Sequence, residues 1–285
     1  MDRDITVRFY EIVSAVEGAA PVEDILDRLA GDRKRRREVD VGDGIVLRLE
    51  HLERDGALRV GDITRVQTDN LPGHVTDDDT ARLPVDEIGH NVAFVYDPDT
   101  RCIALQFDTK IGVGRITRYL SHFGRRSSFS HMPILRQDAL DRFERETPKK
   151  LTLRVASVRN FRNLGNERTD FEDQLETWGR LFGAPSIEIT VSTRGNEDGL
   201  HKGRVVNTIR RWLRMRDEID GVAKITGETI ESDEGFNFIK YLLKERETLD
   251  LPRNDPAEGR RIRLRYVKGS YDEHRGYLRD IADAD

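Results

Sequence analysis

Asp99, Asp108 and Lys110 stand in the order Pro98-Asp99…Asp108-Thr-Lys110, a string in which metal-dependent nucleases present two carboxylates and a lysine. The carboxylates would hold a divalent ion, and the lysine would serve the nucleophile or the transition state. Local sequence argues against joint ligation. Asp99 falls in a turn, Asp97-Pro-Asp-Thr100, and Asp108 falls at the far end of the strand that follows. A separation of nine residues, at about 3.3 Å each, puts the two about 30 Å apart, whereas ligands of one ion converge on it within a few ångströms. Gly112-Val-Gly114 precedes a helix but lacks the third glycine and the Lys-Ser/Thr of a phosphate loop. The seven histidines show no metal-ligand spacing. Cys102, inside a strand, reads as a core residue. The expectation is a protein with no catalytic residue, no metal and no cofactor.

Arginine carries the other chemistry. Residues 1–100 hold 13 Lys/Arg against 23 Asp/Glu, residues 101–162 hold 14 against 5, and residues 201–216 hold 6 against none. Clustered cations in a chain of net charge −5 create a local positive field, which suits a polyanion. Projected at about 100° per residue, 203–216 places Val205, Ile209 and Trp212 on one side and Arg204, Asn207, Arg210, Arg211 and Arg214 on the other. The alternative is an ordinary solvated face. Such faces usually mix signs, because opposite charges at i,i+4 stabilise a helix by about 0.2–0.5 kcal/mol and like charges cost as much. This face contains no acid.

The helix beginning at Val113 has the same arrangement. Val113, Ile116, Leu120 and Phe123 form its apolar stripe, and Arg115, Arg118, His122 and Arg125 line the other side. Arg125, Arg126 and Ser127 follow as a polar loop, and Lys149 and Lys150 open a later strand. The candidate nucleic-acid contacts are therefore Arg115, Arg118, Arg125, Arg126, Ser127, Lys149, Lys150, Arg204, Arg210, Arg211 and Arg214. Arginine outnumbers lysine here, which favours bidentate phosphate contact. No base-reading module is visible, so contacts to the backbone are expected, with affinity falling as salt rises.

These groups need a scaffold. Apolar content of 36% with charged content of 35% describes a globular chain with a thin core. No apolar run approaches the ~20 residues of a membrane helix, the start MDRDITVRF lacks a signal's apolar segment, and the single cysteine fits a reducing compartment. A cytoplasmic location is expected. Ile5 onward alternates as a strand, and Pro21 opens a helix with Val22, Ile25, Leu26 and Leu29 on one face. Hairpins are expected at Gly44–Leu52 with Ala57–Gln67, and at Asn91–Tyr96 with Cys102–Asp108. Residues 69–87, with Asp77–Asp79, read as an irregular connection.

Further on, the pattern predicts strands at 131–135, 149–157, 186–192, 221–226 and 260–267, with helices at 138–145, 169–182, 203–216, 233–246 and 270–282. The class is α+β: mixed, largely antiparallel sheets with flanking helices in two α/β parts, residues 1–148 and 149–285.

The order of elements resembles a known family. Phe9-Tyr10 in a first strand, a helix, two strands around 44–67, the hairpin Asn91–Phe107, a helix over Arg115–Leu120 and the segment Leu181-Phe-Gly-Ala-Pro-Ser-Ile-Glu-Ile-Thr-Val191 follow one another. This is similar to the Rex-type phage-exclusion sensor of lambdoid phages and related bacterial antiviral proteins. The resemblance implies a homodimer that binds duplex DNA without sequence preference in anti-phage defence or phage exclusion. It also implies a membrane or other effector protein partner encoded in the same operon, and two parts that swing to open a DNA cleft. The contrasting expectations are the metal-dependent nuclease above and a protein-interaction subunit of a defence complex.

Overall fold

The computed structural model describes every residue other than 15, 17, 70, 73, 76–79, 82–84, 125, 126, 137, 138, 156–169, 194–197, 220, 221, 232–234 and 285. In chain order the first elements are β1 (Asp2–Ser14), α1 (Val22–Gly31), β2 (Glu38–Asp40), β3 (Val46–Asp55), β4 (Leu58–Gln67), β5 (His74–Val75), β6 (Thr80–Ala81), β7 (Ile88–Asp97), β8 (Cys102–Gln106), α2 (Val113–Phe123) and β9 (Phe129–Pro133). Next come α3 (Ala139–Arg145), β10 (Pro148–Val155), α4 (Asp170–Leu181), β11 (Ile187–Ser192), α5 (Lys202–Ile219), β12 (Val222–Thr229) and β13 (Phe236–Asn237). The chain closes with β14 (Lys244–Asp250) and α6 (Pro256–Ala284). The fold is α+β, with two largely antiparallel open sheets. Among the described residues no helix is long and apolar enough to cross a membrane.

The first compact unit joins Met1–His131 to Lys244–Asp285. Its sheet runs in the order β14-β1-β8-β7-β4-β3-β2, with β9 also on β1. Both expected hairpins are present. Gly56, with φ of 61°, turns β3 into β4, and the segment Asp97–Thr100 turns β7 into β8. Period-two alternation sends Ile63, Phe94, Ile103 and Leu105 to one face, where they pack with α1 and α2. α6 lies on the other face over β4, β7 and β8. It buries Val267, Tyr271 and Leu278, spaced i, i+4 and i+11.

Two local expectations are corrected here. Residues 260–267 are helical, within α6, although Arg261-Ile-Arg-Leu-Arg-Tyr-Val267 alternates like a strand. The helix wins because Val267 and Tyr271, four residues apart, are buried on the one helix face that packs on the sheet. The helix expected at 233–246 is also absent among its described residues. Phe236–Asn237 pair with β12, and Lys244–Asp250 form a charged edge strand on β1. These long-range pairings also cut across the division expected at 148/149. The last forty or so residues pack on the first sheet, so the compact units are Met1–His131 with Lys244–Asp285, and Met132–Leu243.

Asp97 and Tyr271 are both fully buried, and the tyrosine hydroxyl donates to the Asp97 carboxylate. Burial, with the adjacent carboxylate, pushes the phenol well above its ordinary pKa, so it stays a donor. Tyr271→Phe should cost about 1–3 kcal/mol, because it leaves a buried carboxylate with one partner fewer. Comparing urea midpoints of the two proteins measures this.

The second unit, Met132–Leu243, holds the sheet β11-β10-β12-β13. Phe143, Leu153, Leu175, Ile209, Trp212, Ile225 and Phe238 share its core. Gly227 on β12 permits a close approach there, since a Cβ at that position would lie 2.5 Å from the Phe143 ring.

Candidate functional site

α5 positions the main arginine face. Its first turn is held by His201, whose Nδ1 lies 3.4 Å from the Arg204 N–H and whose carbonyl accepts the Val205 N–H at 3.1 Å. Val205, Val206, Ile209, Trp212, Leu213 and Met215 are buried, which anchors one side of the helix. Arg204, Asn207 and Arg210 are exposed on the other side, and Arg211 and Arg214 are half-buried between the two. The projected face is therefore the outward face.

Its expected lack of counter-charge is corrected. Residues 201–216 contain no acid, but α5 runs on through Asp217 and Glu218, and neighbouring helices supply two more. Arg211 grips Glu172 of α4 through two contacts, Nε–Oε1 at 3.3 Å and Nη2–Oε2 at 3.2 Å, and Glu172 is 1% exposed. Arg210 meets Glu144 of α3 at 3.1 Å in the open. Arg204 has no side-chain partner among the described residues. The second unit as a whole carries 19 Lys/Arg and 19 Asp/Glu, so its field comes from placement rather than excess.

The other candidates separate. Arg115, Arg118 and Ser127 belong to the first unit, so the two arginine faces sit on different compact units. Arg115 is half-buried beside the loop before α2, 3.4 Å from the Thr109 and Lys110 carbonyls and 3.7 Å from Asp43. Burial draws its guanidinium pKa down. Arg118 is exposed and donates to the Val41 carbonyl at 3.2 Å. Ser127 is corrected as a phosphate donor. It is buried, donates to the Gly124 carbonyl at 3.0 Å and accepts the Ala20 N–H at 3.2 Å. Arg125 and Arg126 lie outside the described residues. Lys150 on β10 pairs with Glu228 at 2.8 Å, and Lys149 beside it is half-buried. The basic run before β2 is also occupied, with Arg37 holding the Ala30 carbonyl at the end of α1 at 2.8 Å.

A feature absent from the sequence reading adjoins Arg204. Between α5 and the β10–β11 pair lies a groove of about 420 Å³. Its floor is two directly opposed cross-strand pairs, Leu151 with Val191 and Leu153 with Ile189. Trp212 and Phe171 close one end, with ring centroids 5.9 Å apart. His201, Arg204 and Thr208 supply polar groups, and the Glu172–Arg211 pair forms part of the wall. α4 explains why this was hidden. It buries Glu172, Leu175, Glu176 and Gly179 while exposing Phe171, Trp178 and Leu181, so its polarity is turned from the usual sense. The periodicity of its aromatics gives a helix, but the buried Glu172 becomes intelligible only with tertiary packing, which brings Arg211 of α5 against it.

No protein-family model matches the chain, and no curated protein matches it.

Asp99 and Asp108 lie beyond opposite ends of β8, the first in the β7–β8 turn. Asp108 is taken up by the His90 ring at 2.9 Å and by the N–H groups of Lys110 and Ile111. Burial alone would raise its pKa, but these hydrogen bonds outweigh burial and hold it below the usual carboxylate value. Among the described residues no three His, Cys, Asp or Glu side chains converge as a metal site.

Proposed function

We propose that the protein binds double-stranded DNA without sequence preference, in anti-phage defence or phage exclusion, and grips phosphates with the outward face of α5. The observation that carries this reading is a helix face bearing exposed Arg204, Asn207 and Arg210, with no acid between residues 204 and 214 and with Arg204 lacking a side-chain partner among the described residues. Arginine forks match phosphate oxygens bidentately, and asparagine can donate to the same backbone. The assignment to DNA, to defence, to a homodimer and to an effector partner from the same operon rests on the resemblance in element order.

Lys202, exposed at the first position of α5, would join Arg204 and Arg210 in neutralising about three phosphates, giving a slope of about −2.7 in log K against log salt. Affinity for two unrelated duplexes should then be equal within about threefold and fall about fortyfold between 50 and 200 mM salt. Affinity that ignores salt, or that depends on sequence by orders of magnitude, would overturn the reading.

A second reading, a protein-interaction subunit, is favoured by the apolar residues that α4 and its end leave exposed. Trp178 is 44% exposed, Leu181 72% and Phe182 77%. Clustered apolar exposure of this kind marks protein contacts. Stable co-purification of an operon partner without DNA binding would favour this reading over the first.

A further inference from the structure

The groove beside α5 has the chemistry of a small-molecule site, and it shares Arg204 with the proposed DNA face. Its volume of about 420 Å³ falls in the range of about 300–1,000 Å³ typical of such sites. The floor, Leu151, Leu153, Ile189 and Val191, offers no side-chain hydrogen bond, so a polar ligand body would lose its water without compensation. An aliphatic chain has nothing to lose there. The Phe171 and Trp212 rings of the lining meet edge to face rather than as parallel plates, an arrangement that does not sandwich a flat ring.

The charges fix the head group. Among the described residues, three ionised side chains line the groove: Arg204, Arg211 and Glu172. Glu172 and Arg211 pair across the wall, and the exposed Arg204 guanidinium places a positive charge beside them. The Thr208 hydroxyl is committed to the Arg204 carbonyl at 2.8 Å, and His201 stands beside Arg204 at the helix start. A single anionic group at Arg204 neutralises the site; a second would meet Glu172.

We infer that this groove binds an aliphatic carboxylate, with the chain along the β10–β11 floor and the carboxylate on Arg204. A carboxylate accepts two parallel bonds from one guanidinium, so the head would be oriented as well as attracted.

Dodecanoate below its micelle concentration is the probe, titrated into the full chain by calorimetry, with 1-dodecanol as the uncharged analogue. The chain has two tryptophans. A Trp178→Phe background leaves Trp212 as a fluorescent reporter inside the groove. The expected result is saturable dodecanoate binding with a change in Trp212 emission. Arg204→Gln should weaken it roughly tenfold or more and bring it level with dodecanol, whose own affinity should not move. Val191→Phe, at a half-exposed floor position, should block both ligands. Absence of saturable dodecanoate binding by the folded protein would overturn the inference. So would dodecanoate affinity unchanged in both variants. Arg204 serves both readings, so they are separated elsewhere: Val191→Phe should abolish dodecanoate binding and leave duplex affinity unchanged, whereas Arg210→Gln should weaken duplex binding and leave dodecanoate affinity unchanged.

Discussion

Arg211→Met should destabilise the second unit by about 3 kcal/mol, because it takes from the nearly dry Glu172 carboxylate the cation that meets it at two contacts. For a unit of this size that is roughly a 10 °C or larger fall in the unfolding midpoint. Glu172 is 1% exposed and the Arg211 side chain 27%, so water cannot replace the lost partner. The double variant Glu172→Leu/Arg211→Met should recover most of the loss, since removing a buried pair together leaves no orphaned charge. Thermal unfolding of the wild type, the single and the double variant measures both effects. A single variant as stable as the wild type would mean that Glu172 is solvated or neutral.

The neighbouring arginine should behave in the opposite way. Arg210 meets Glu144 with both groups reaching solvent, 48% and 34% exposed at the side chain, and exposed pairs contribute about 0–1 kcal/mol. Arg204→Glu/Arg210→Glu should therefore fold. In 50 mM salt it should bind duplex DNA about a hundredfold or more weaker than the wild type, because two phosphate contacts become repulsions. An unaltered unfolding midpoint beside that loss separates function from stability. Arg211 belongs in no such test, because its removal damages the fold that presents the other two.

The difference between these adjacent residues shows what sequence could tell. Helical projection found the arginine face of α5 from Val205, Ile209 and Trp212 alone, because burial of one stripe dictates which side meets solvent. It could not find Glu144 or Glu172, which arrive from α3 and α4 through tertiary packing. Both hairpins were legible because turn chemistry and alternation agree, at Asp55-Gly56 and at Asp97–Thr100. α6 was misread in its first half because arginine alternating with Ile262, Leu264 and Tyr266 mimics a strand. The unit boundary was hidden for a related reason: Lys244–Asp250 pairs with residues 2–8 from the far end of the chain. The groove depends on the β10–β11 register, α4 and α5 together, and no single segment carries it. Ser127 looked like a phosphate donor by residue type and is occupied in closing the loop onto Ala20.

The central claim, that the outward face of α5 holds a nucleic-acid backbone, is tested most directly by the salt dependence of duplex binding. The measurement compares the wild type with the neutral variant Arg204→Gln/Arg210→Gln between 50 and 200 mM salt. The slope of log K against log salt should become shallower by about 1.8 in the variant, since each lost phosphate contact removes about 0.9. Equal slopes for the two proteins, or no DNA binding by the wild type at 50 mM salt, would contradict it.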